Sequence, residues 1–218
     1  MKSWTEIAAW RGGQRRALIE QRQRIPQAKR HDLNTTIEGL LEQSFAPPPQ
    51  KVIAFCWPYK GEVDVRFAIR SFRAKGAMAA LPAVTAKASP LQFKSWWPGV
   101  AMAPGALDIP VPQNTETVIP DMAIVPVVGF DGEGYRLGYG GGYFDRTLAA
   151  LPRKPITIGV GPEDARLATI HPQPHDIAMD FIVTEAGIHA VNRGRLEWVD
   201  PAAAASQFNR LAAERDLW

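Results

Sequence analysis

The chain has 218 residues, of which 46% are hydrophobic, so its length suits one domain with a core that burial can stabilise. Its formal net charge of +3 favours anionic ligands but is too small to indicate a nucleic-acid-binding protein. Cys56 is the only cysteine, which excludes an internal disulfide framework or cysteine metal cluster. No apolar run reaches the length of a signal peptide or a membrane span, so we expect a soluble, cytoplasmic protein, by size a monomer.

Two helices are predicted before the first strand. Residues 5 to 24 form the first, with Thr5 as its N-cap, and several arginines give it a basic character. Arg11 and Arg15 are four residues apart and share one face, which is either a solvated surface, as the bare pattern favours, or an anion-binding one. Pro26 begins the second helix, which the prolines at 47 to 49 end.

Strand and helix patterns then alternate, which indicates an α/β fold. A strand is predicted at residues 51 to 57, a helix at 62 to 75 and a second strand at 77 to 84. Glu62 either complements the helix dipole in a first turn or faces a ligand just past the end of a strand. Residues 91 to 112 are predicted to form an irregular segment with one or two short strands. Its Trp96 and Trp97 either cover the core or stack on a flat heterocycle.

The densest pattern is VVGFDGEGYRLGYGGGYFDRTL, residues 127 to 148, which follows a buried strand and precedes a helix predicted to begin near Gly142. Its glycines leave much of the backbone bare, so amide groups and the positive end of the helix can meet an anion. Arg136 and Asp145 flank the glycines as a cation for phosphate and a carboxylate for a metal. Neither a Walker A loop nor a dinucleotide fingerprint matches, since Tyr143 stands where the latter needs its third glycine.

The remaining sequence predicts strands at 156 to 160 and 181 to 184, an extended loop between them, and a C-terminal helix from Pro201. On that loop Asp176 is placed to reach a magnesium ion held by substrate phosphates. His171 and His175 lack a third ligand for zinc. The fold class is a single-domain three-layer α/β/α sandwich with a largely parallel sheet. Its domain spans residues 1–191, with N-terminal helices at 5–45, and residues 192–218 form a C-terminal extension.

The string RLGYGGGYFDR, residues 136 to 146, closely resembles the signature of the 5-formyltetrahydrofolate cyclo-ligase family, also called methenyltetrahydrofolate synthetases. Other features extend the resemblance to roughly residues 8 to 186. Arg11 and Arg15 stand at the positions of the family's basic pair, the first of which is often lysine. Glu62 lies in a segment that resembles the one carrying a folate-contacting glutamate. Phe144 replaces a tyrosine that is common in the family.

The resemblance implies conversion of 5-formyltetrahydrofolate and ATP to 5,10-methenyltetrahydrofolate, ADP and phosphate, with Mg²⁺ as cofactor, through phosphorylation of the formyl oxygen and ring closure by N10. The ATP-binding residues that it implies are Arg11, Arg15, Arg136, Leu137, Gly138, Tyr139, Gly140, Gly141, Gly142, Tyr143 and Phe144. The implied folate-binding residues are Trp57, Glu62, Tyr139, Gly140, Gly141, Gly142 and Tyr143. Asp145 and Asp176 are the implied metal ligands, and Arg136, Tyr143 and Asp145 the candidate catalytic residues.

Three other functions remain open at this point. A non-catalytic relative that binds formylfolate or nucleotide is the first alternative, although Arg136, Asp145 and Asp176 are all present. A phosphate-sugar isomerase or transferase on a similar scaffold is the second, because one fold hosts many functions. Nucleic-acid binding ranks last, since no recognition motif accompanies the pI of about 9.1. The expected partners are therefore ATP and the folate, without nucleic acid or membrane.

Overall fold

The structure, a computed structural model, describes residues 3–218. Its helices are α1 (Trp4–Gln23), α2 (Gln27–Ser44), α3 (Arg66–Ala74), α4 (Tyr143–Ala150) and α5 (Pro201–Glu214). Its strands are β1 (Val52–Ala54), β2 (Met78–Ala83), β3 (Gln92–Trp96), β4 (Met102–Pro104), β5 (Pro110–Pro112), β6 (Thr117–Val118), β7 (Met122–Pro126), β8 (Gly129–Asp131), β9 (Arg136–Leu137), β10 (Ile156–Val160), β11 (Arg166–Leu167), β12 (Phe181–Thr184), β13 (Gly187–Asn192) and β14 (Arg195–Val199).

The main sheet has nine strands in the order β14-β13-β12-β10-β7-β1-β2-β3-β6. Its five central strands, β12 to β2 in that order, pair in parallel, and antiparallel strands complete both edges. The chain runs from β1 to β2 on one side and later adds β7, β10 and β12 on the other, so the strand order reverses between β1 and β7. In open α/β sheets, ligands bind beyond the carboxyl ends of the strands at this reversal. The segments after β1 and β7 are therefore placed together at the favoured position for a site.

Helices cover both faces of the sheet, which confirms the predicted three-layer α/β/α sandwich. On one face α2, α3 and α5 bury Phe45, Phe72 and Phe208 against the central strands. On the other face, α4 contributes Leu148 and the small sheet β11-β8-β9 contributes Phe130. None of the helices between residues 3 and 218 is long and apolar enough to cross a membrane.

The helix α1 lies across the small sheet rather than on the main one. Leu18 packs with Val128, Leu137 and Ile170. A Cβ on Gly129 would lie 2.8 Å from Leu18 Cδ1, so glycine permits this close approach. The packing fixes the basic face of α1 above the loop that follows β9.

The ends of several elements differ from the sequence prediction. Ser3, not Thr5, is the N-cap of α1: its hydroxyl accepts a hydrogen bond from the Glu6 amide at 3.3 Å, and Glu6 Oε2 accepts one from the Ser3 amide at 2.6 Å. Residues 91 to 112 hold three short strands rather than one or two. The extra pair, β4 with β5, is only three residues long on each side, too short for an alternating pattern to reveal.

The segment after β1 contains the correction that matters most for function. The helix α3 begins at Arg66, so Glu62 lies in a loop and the helix-dipole interpretation of this residue was wrong. Lys60 and Gly61 both have positive φ, 47° and 75°, which turns the chain away from a helical path. The loop turns Glu62 inward, where the side chain is buried.

Residues 192–218 continue the same sheet and core. β14 pairs with β13 along its whole length, and Phe208 of α5 lies in the main core. The helix begins at Pro201, as predicted, with Asp200 as its N-cap. At its end Arg215 Nη2 forms an ion pair with Asp180 Oδ1 at 2.6 Å, which joins the helix to the amino end of β12.

Candidate active site

The glycine loop, residues 138–142, joins β9 to α4 at the carboxyl edge of the sheet. Gly140 and Gly142 have φ of 91° and 63°, a region that side chains other than glycine rarely occupy. A Cβ on Gly141 would lie 2.7 Å from the Tyr143 ring, so this position also requires glycine. The α4 helix begins directly afterwards, as predicted, and its free amide groups point back toward the loop. Bare backbone and a helix N-terminus together are suited to bind an anion.

An arginine–aspartate cluster surrounds this loop: Arg11, Arg15, Arg136, Asp145 and Asp176. Arg15 Nε donates to the Gly138 carbonyl at 2.6 Å, and a Cβ on Gly140 would lie 3.1 Å from its guanidinium. Burial, and next the charge of Arg11, lower the pKa of Arg15. Arg15 therefore lies directly against the glycines with its charge crowded by a second arginine, an arrangement that an anion would relieve.

Arg11 and Asp176 form one buried pair within the cluster, although 165 residues separate them. Arg11 Nη2 donates to Asp176 Oδ2 at 2.5 Å, and Arg11 Nε donates to the Ile170 carbonyl at 2.9 Å. Burial opposes ionisation of Asp176, but hydrogen bonds from Arg11 and the Gln173 amide outweigh it, and the pKa of Asp176 falls below its usual value. Asp176 is therefore a carboxylate at neutral pH.

Arg136 and Asp145 form the second pair. Arg136 Nη2 donates to Asp145 Oδ1 at 2.8 Å, and Arg136 Nη1 donates to the Ile177 carbonyl at 2.8 Å. Asp145 Oδ1 also accepts from the Ile177 amide at 3.1 Å. Burial lowers the pKa of Arg136, while the charges of Asp145 and Asp176 act in the opposite direction. The charges of both carboxylates therefore act on the same guanidinium, that of Asp145 from α4 and that of Asp176 from the loop that carries Ile177.

The two carboxylates fit a magnesium ion only in part. Among residues 3–218, no three His, Cys, Asp or Glu side chains are grouped to hold a metal, so a site formed by protein alone is not present there. Mg²⁺ commonly uses one or two carboxylates, with waters and substrate phosphates completing its shell. Asp145 suits this role, because its side chain is 20% exposed and only Oδ1 takes part in its hydrogen bonds. Asp176 suits it if Arg11 gives up part of its ion pair.

A second group, the Glu62 cluster, consists of Arg22, Tyr139 and Glu62. Glu62 is only 5% exposed; its Oε1 accepts from the Tyr139 hydroxyl at 2.8 Å and its Oε2 from the Tyr59 amide at 3.0 Å. Arg22 Nη2 donates to the same hydroxyl at 2.7 Å and lies 3.9 Å from Glu62 Oε1. Burial raises the pKa of Glu62, against the opposing effects of Arg22, Tyr139 and Tyr59. Burial and the charge of Glu62 raise the pKa of Tyr139, so its hydroxyl stays a donor.

The aromatic candidates take different positions. Trp57 is half-buried, with the Arg66 guanidinium 4.7 Å from its ring centroid. Trp96 is buried in the core beside Phe55, whereas Trp97 is exposed, so the core interpretation holds for the first alone. Tyr143 and Phe144 are half-buried at the start of α4.

Leu137 also differs from its neighbours in the glycine loop, because its side chain is buried. It packs beneath α1 with Leu18, Val128 and Ile170. Leu137 can therefore contact a ligand at the glycine loop through its backbone and not through its side chain.

Sequence reasoning missed Arg22, because it singled out only Arg11 and Arg15 among the arginines of the first helix. The neighbouring Arg24 has a side chain that is 76% exposed, but Arg11 and Arg22 are only 7% and 4% exposed. A usable signal was present, since eleven residues separate Arg11 from Arg22 and a helix repeats about every 3.6 residues. Arg11, Arg15 and Arg22 therefore share one face, which connects the two clusters.

Comparison with known proteins identifies the family. The model of the 5-formyltetrahydrofolate cyclo-ligase family matches residues 7–185. The 5-formyltetrahydrofolate cyclo-ligase of Mycolicibacterium smegmatis is 30% identical over 178 residues, which cover 78% of this chain and 91% of that protein. The one from Mycoplasma pneumoniae is 27% identical over 176 residues, covering 78% and 96% respectively.

Solved structures give the same result at the level of the fold. The 5,10-methenyltetrahydrofolate synthetase of Aquifex aeolicus superposes with a TM-score of 0.70 at 28% identity, covering 85% of this chain and 94% of that one. The synthetase of Mycoplasma pneumoniae gives 0.66 at 25% identity, covering 80% and 98%. The chain therefore belongs to the 5-formyltetrahydrofolate cyclo-ligase family.

Proposed function

We propose that this chain converts 5-formyltetrahydrofolate to 5,10-methenyltetrahydrofolate in a reaction that requires ATP and Mg²⁺ and releases ADP and phosphate. Family membership supports the substrate and the overall reaction. The observation that carries the assignment of this site is the position of the glycine loop between two unlike groups. The loop borders arginines suited to phosphates and carboxylates suited to a magnesium ion, and through Tyr139 it also contacts the buried Glu62.

The chemistry begins at the formyl oxygen, which is a poor leaving group because the N5-formyl group is an amide. Transfer of the γ-phosphoryl group forms a bond between that oxygen and phosphorus and breaks the bond to ADP. The N10 lone pair then attacks the formyl carbon, phosphate leaves with the former formyl oxygen, and N10 loses its proton. The product is the methenyl cation, so atoms and charge balance.

Phosphoryl transfer needs mainly alignment and charge neutralisation from the protein. In the proposed complex the amides of the glycine loop, with Arg11, Arg15 and Arg136, contact the phosphates. Tyr143 packs against Gly141 and maintains the path of the loop. Asp145 and Asp176 would hold a magnesium ion, which would supply neutralisation of phosphate charge.

On the other side of the loop, Glu62 accepts hydrogen bonds from the N–H groups of the pterin. A carboxylate is an acceptor-only group, so it pairs with the several N–H donors on that edge of the ring. Trp57, in the same segment after β1, adds an aromatic surface beside them. These residues orient the folate and take no part in bond making.

An absorbance assay for methenyltetrahydrofolate tests the proposal. We expect product from 5-formyltetrahydrofolate only when ATP and Mg²⁺ are both present. Reactions that lack ATP or lack Mg²⁺ serve as the controls. If folded protein formed no product with all components, the proposed activity would be wrong, and a non-catalytic formylfolate- or nucleotide-binding relative would take its place.

We further infer that the protein acts in the cytoplasm as a monomer of one domain. The single cysteine, Cys56, supports a reducing compartment, where thiols persist. Size-exclusion chromatography with light scattering tests the monomer, for which the expected mass is 24.0 kDa.

A further inference from the structure

Arg22 is the most deeply buried arginine of α1 and contacts the elements on both sides of the site. Its Nε donates to the Lys60 carbonyl at 3.1 Å, in the loop after β1. Its Nη2 donates to the Tyr139 hydroxyl at 2.7 Å, in the glycine loop. At 4% exposure its guanidinium is removed from water. Burial of a charge is unfavourable unless hydrogen-bond or ion-pair partners compensate for it.

These contacts form a directed chain of hydrogen bonds that ends on Glu62. The Tyr139 hydroxyl accepts from Arg22 and donates its own proton to Glu62 Oε1 at 2.8 Å. The other oxygen, Oε2, accepts from the Tyr59 amide at 3.0 Å. Because both oxygens have a donor, the orientation of the carboxylate is fixed before any substrate arrives.

The charge of Arg22 favours the ionised form of Glu62, just as the hydrogen bonds favour one orientation of its carboxylate. The titratable groups described around Glu62 are Arg22 on α1, Tyr139 in the glycine loop and the thiol of Cys56 after β1. Arg22 is the cation among them, and it opposes the burial that raises the pKa of Glu62. The pKa of the Cys56 thiol is itself raised by burial and by Glu62, so the thiol adds no charge at neutral pH.

We propose that Arg22 is a positioning residue for the folate, because it holds the Tyr139 hydroxyl and the Glu62 carboxylate in the arrangement that accepts the pterin N–H groups. The inference rests on the proposed function, since it assigns Arg22 to the folate half of that site. Arg22 acts through Glu62 and does not contact the reacting atoms.

Arg22→Gln tests this role, with Arg24→Gln as the matched control. Both changes remove one positive charge from the end of α1, but Arg24 is exposed and pairs with Glu20 on the helix surface. We expect Arg22→Gln to raise the KM for 5-formyltetrahydrofolate roughly tenfold, because a charge-assisted contact is lost. The KM for ATP and kcat should stay within about twofold. Arg24→Gln should leave all three unchanged.

The pH profile separates positioning from mere structural support. Without Arg22 the pKa of Glu62 rises further, so Glu62 takes up a proton at higher pH and stops being a pure acceptor. The acid limb of kcat/KM for the folate should therefore move to higher pH in Arg22→Gln. Arg22→Lys keeps the charge and should restore most of the limb. If Arg22 had only a structural role, Arg22→Gln would lower the unfolding temperature and leave the acid limb of kcat/KM at its wild-type pH.

Tyr139→Phe provides a second variant in case Arg22→Gln does not fold. It removes only the hydroxyl between Arg22 and Glu62, and we expect a roughly threefold rise in the folate KM with an unchanged unfolding temperature.

An unchanged folate KM and acid limb in the folded variants would overturn the inference. Calorimetric titration with 5-formyltetrahydrofolate gives the same comparison if wild type shows no turnover. An inactive wild type would overturn the proposed function alone, whereas an active wild type with an unaffected Arg22→Gln would overturn the role of Arg22 alone.

Discussion

The arginine–aspartate cluster and the Glu62 cluster both contact the glycine loop, the first at Gly138 and the second at Tyr139, but the charges in them are held differently. In the first, two arginines already pair with two carboxylates at 2.5 and 2.8 Å, and a third arginine donates to a backbone carbonyl. In the second, one buried carboxylate is held by a hydroxyl, an amide and one arginine 3.9 Å away. The first can exchange partners when phosphates and a cation arrive. The second holds its carboxylate in one orientation. Substitutions in the two clusters should therefore affect different kinetic constants.

Asp145→Asn should produce the largest effect, because it removes a charge from the side that stabilises phosphoryl transfer. Asparagine keeps the oxygen that accepts from Arg136 and Ile177, so the fold should survive. We expect kcat to fall by at least about a hundredfold, the scale for losing one group that stabilises transition-state charge. Steady-state kinetics at saturating Mg²⁺ measures it, with Glu214→Gln on α5 as a control. Near-normal turnover would remove Asp145 from the machinery.

Glu62→Gln should act on the other side, on substrate binding rather than on turnover. The amide nitrogen that replaces one oxygen would face the Tyr59 amide or the pterin donors, so one hydrogen bond becomes a clash of donors. We expect the KM for 5-formyltetrahydrofolate to rise by about tenfold or more, with the KM for ATP nearly unchanged. Equal changes in both constants would contradict the division between the two clusters.

The pH dependence of folate use sharpens the same comparison. Burial raises the pKa of Glu62, so protonation on acidification begins closer to neutral pH than for an exposed glutamate. Protonation removes the charge and occupies one acceptor oxygen, so kcat/KM for the folate should fall as pH falls through that pKa. Glu62→Gln has no such group, and its profile should lack this limb. A limb that persisted in Glu62→Gln would have to belong to another group.

The partly buried ion pair of Arg215 with Asp180, which lies outside both clusters, serves as the contrast for them. It joins α5 to the sheet at the end opposite the site, and Arg215→Ala would leave Asp180 buried beside a single more distant lysine, Lys154. We expect a loss of about 3 kcal/mol in the free energy of unfolding, measured by urea denaturation. The KM values of the folded fraction should not change. A change in KM would mean that α5 affects the site.

Much of this architecture follows from local sequence. The start of α4 near Gly142 and the strands at 156–160 and 181–184 are confirmed, because glycines and short apolar runs bounded by turns define them locally. The position of the sheet's strand reversal, by contrast, depends on which strands pair, and no pattern within one strand encodes it.

The site shows the same division between local and long-range information. The glycine loop and its flanking Arg136 and Asp145 are adjacent in sequence, so one motif identifies them together. Arg11 and Arg22 each have a partner more than a hundred residues away, on the loop at 170–177 and in the glycine loop, and these contacts depend on how α1 packs across the small sheet. Glu62 was a candidate in sequence, but its loop and its burial follow from the positive φ of the two preceding residues.

The most direct test of the central claim follows the formyl oxygen itself. If the arginine–aspartate cluster directs the γ-phosphoryl group to that oxygen, 5-formyltetrahydrofolate labelled with oxygen-18 in the formyl group should pass its label to the released phosphate. Mass spectrometry of the phosphate measures the transfer, and unlabelled substrate in oxygen-18 water gives the control. Labelled phosphate in proportion to methenyltetrahydrofolate is the expected result. Unlabelled phosphate from the labelled substrate, formed together with product, would contradict phosphorylation of the formyl oxygen at this site.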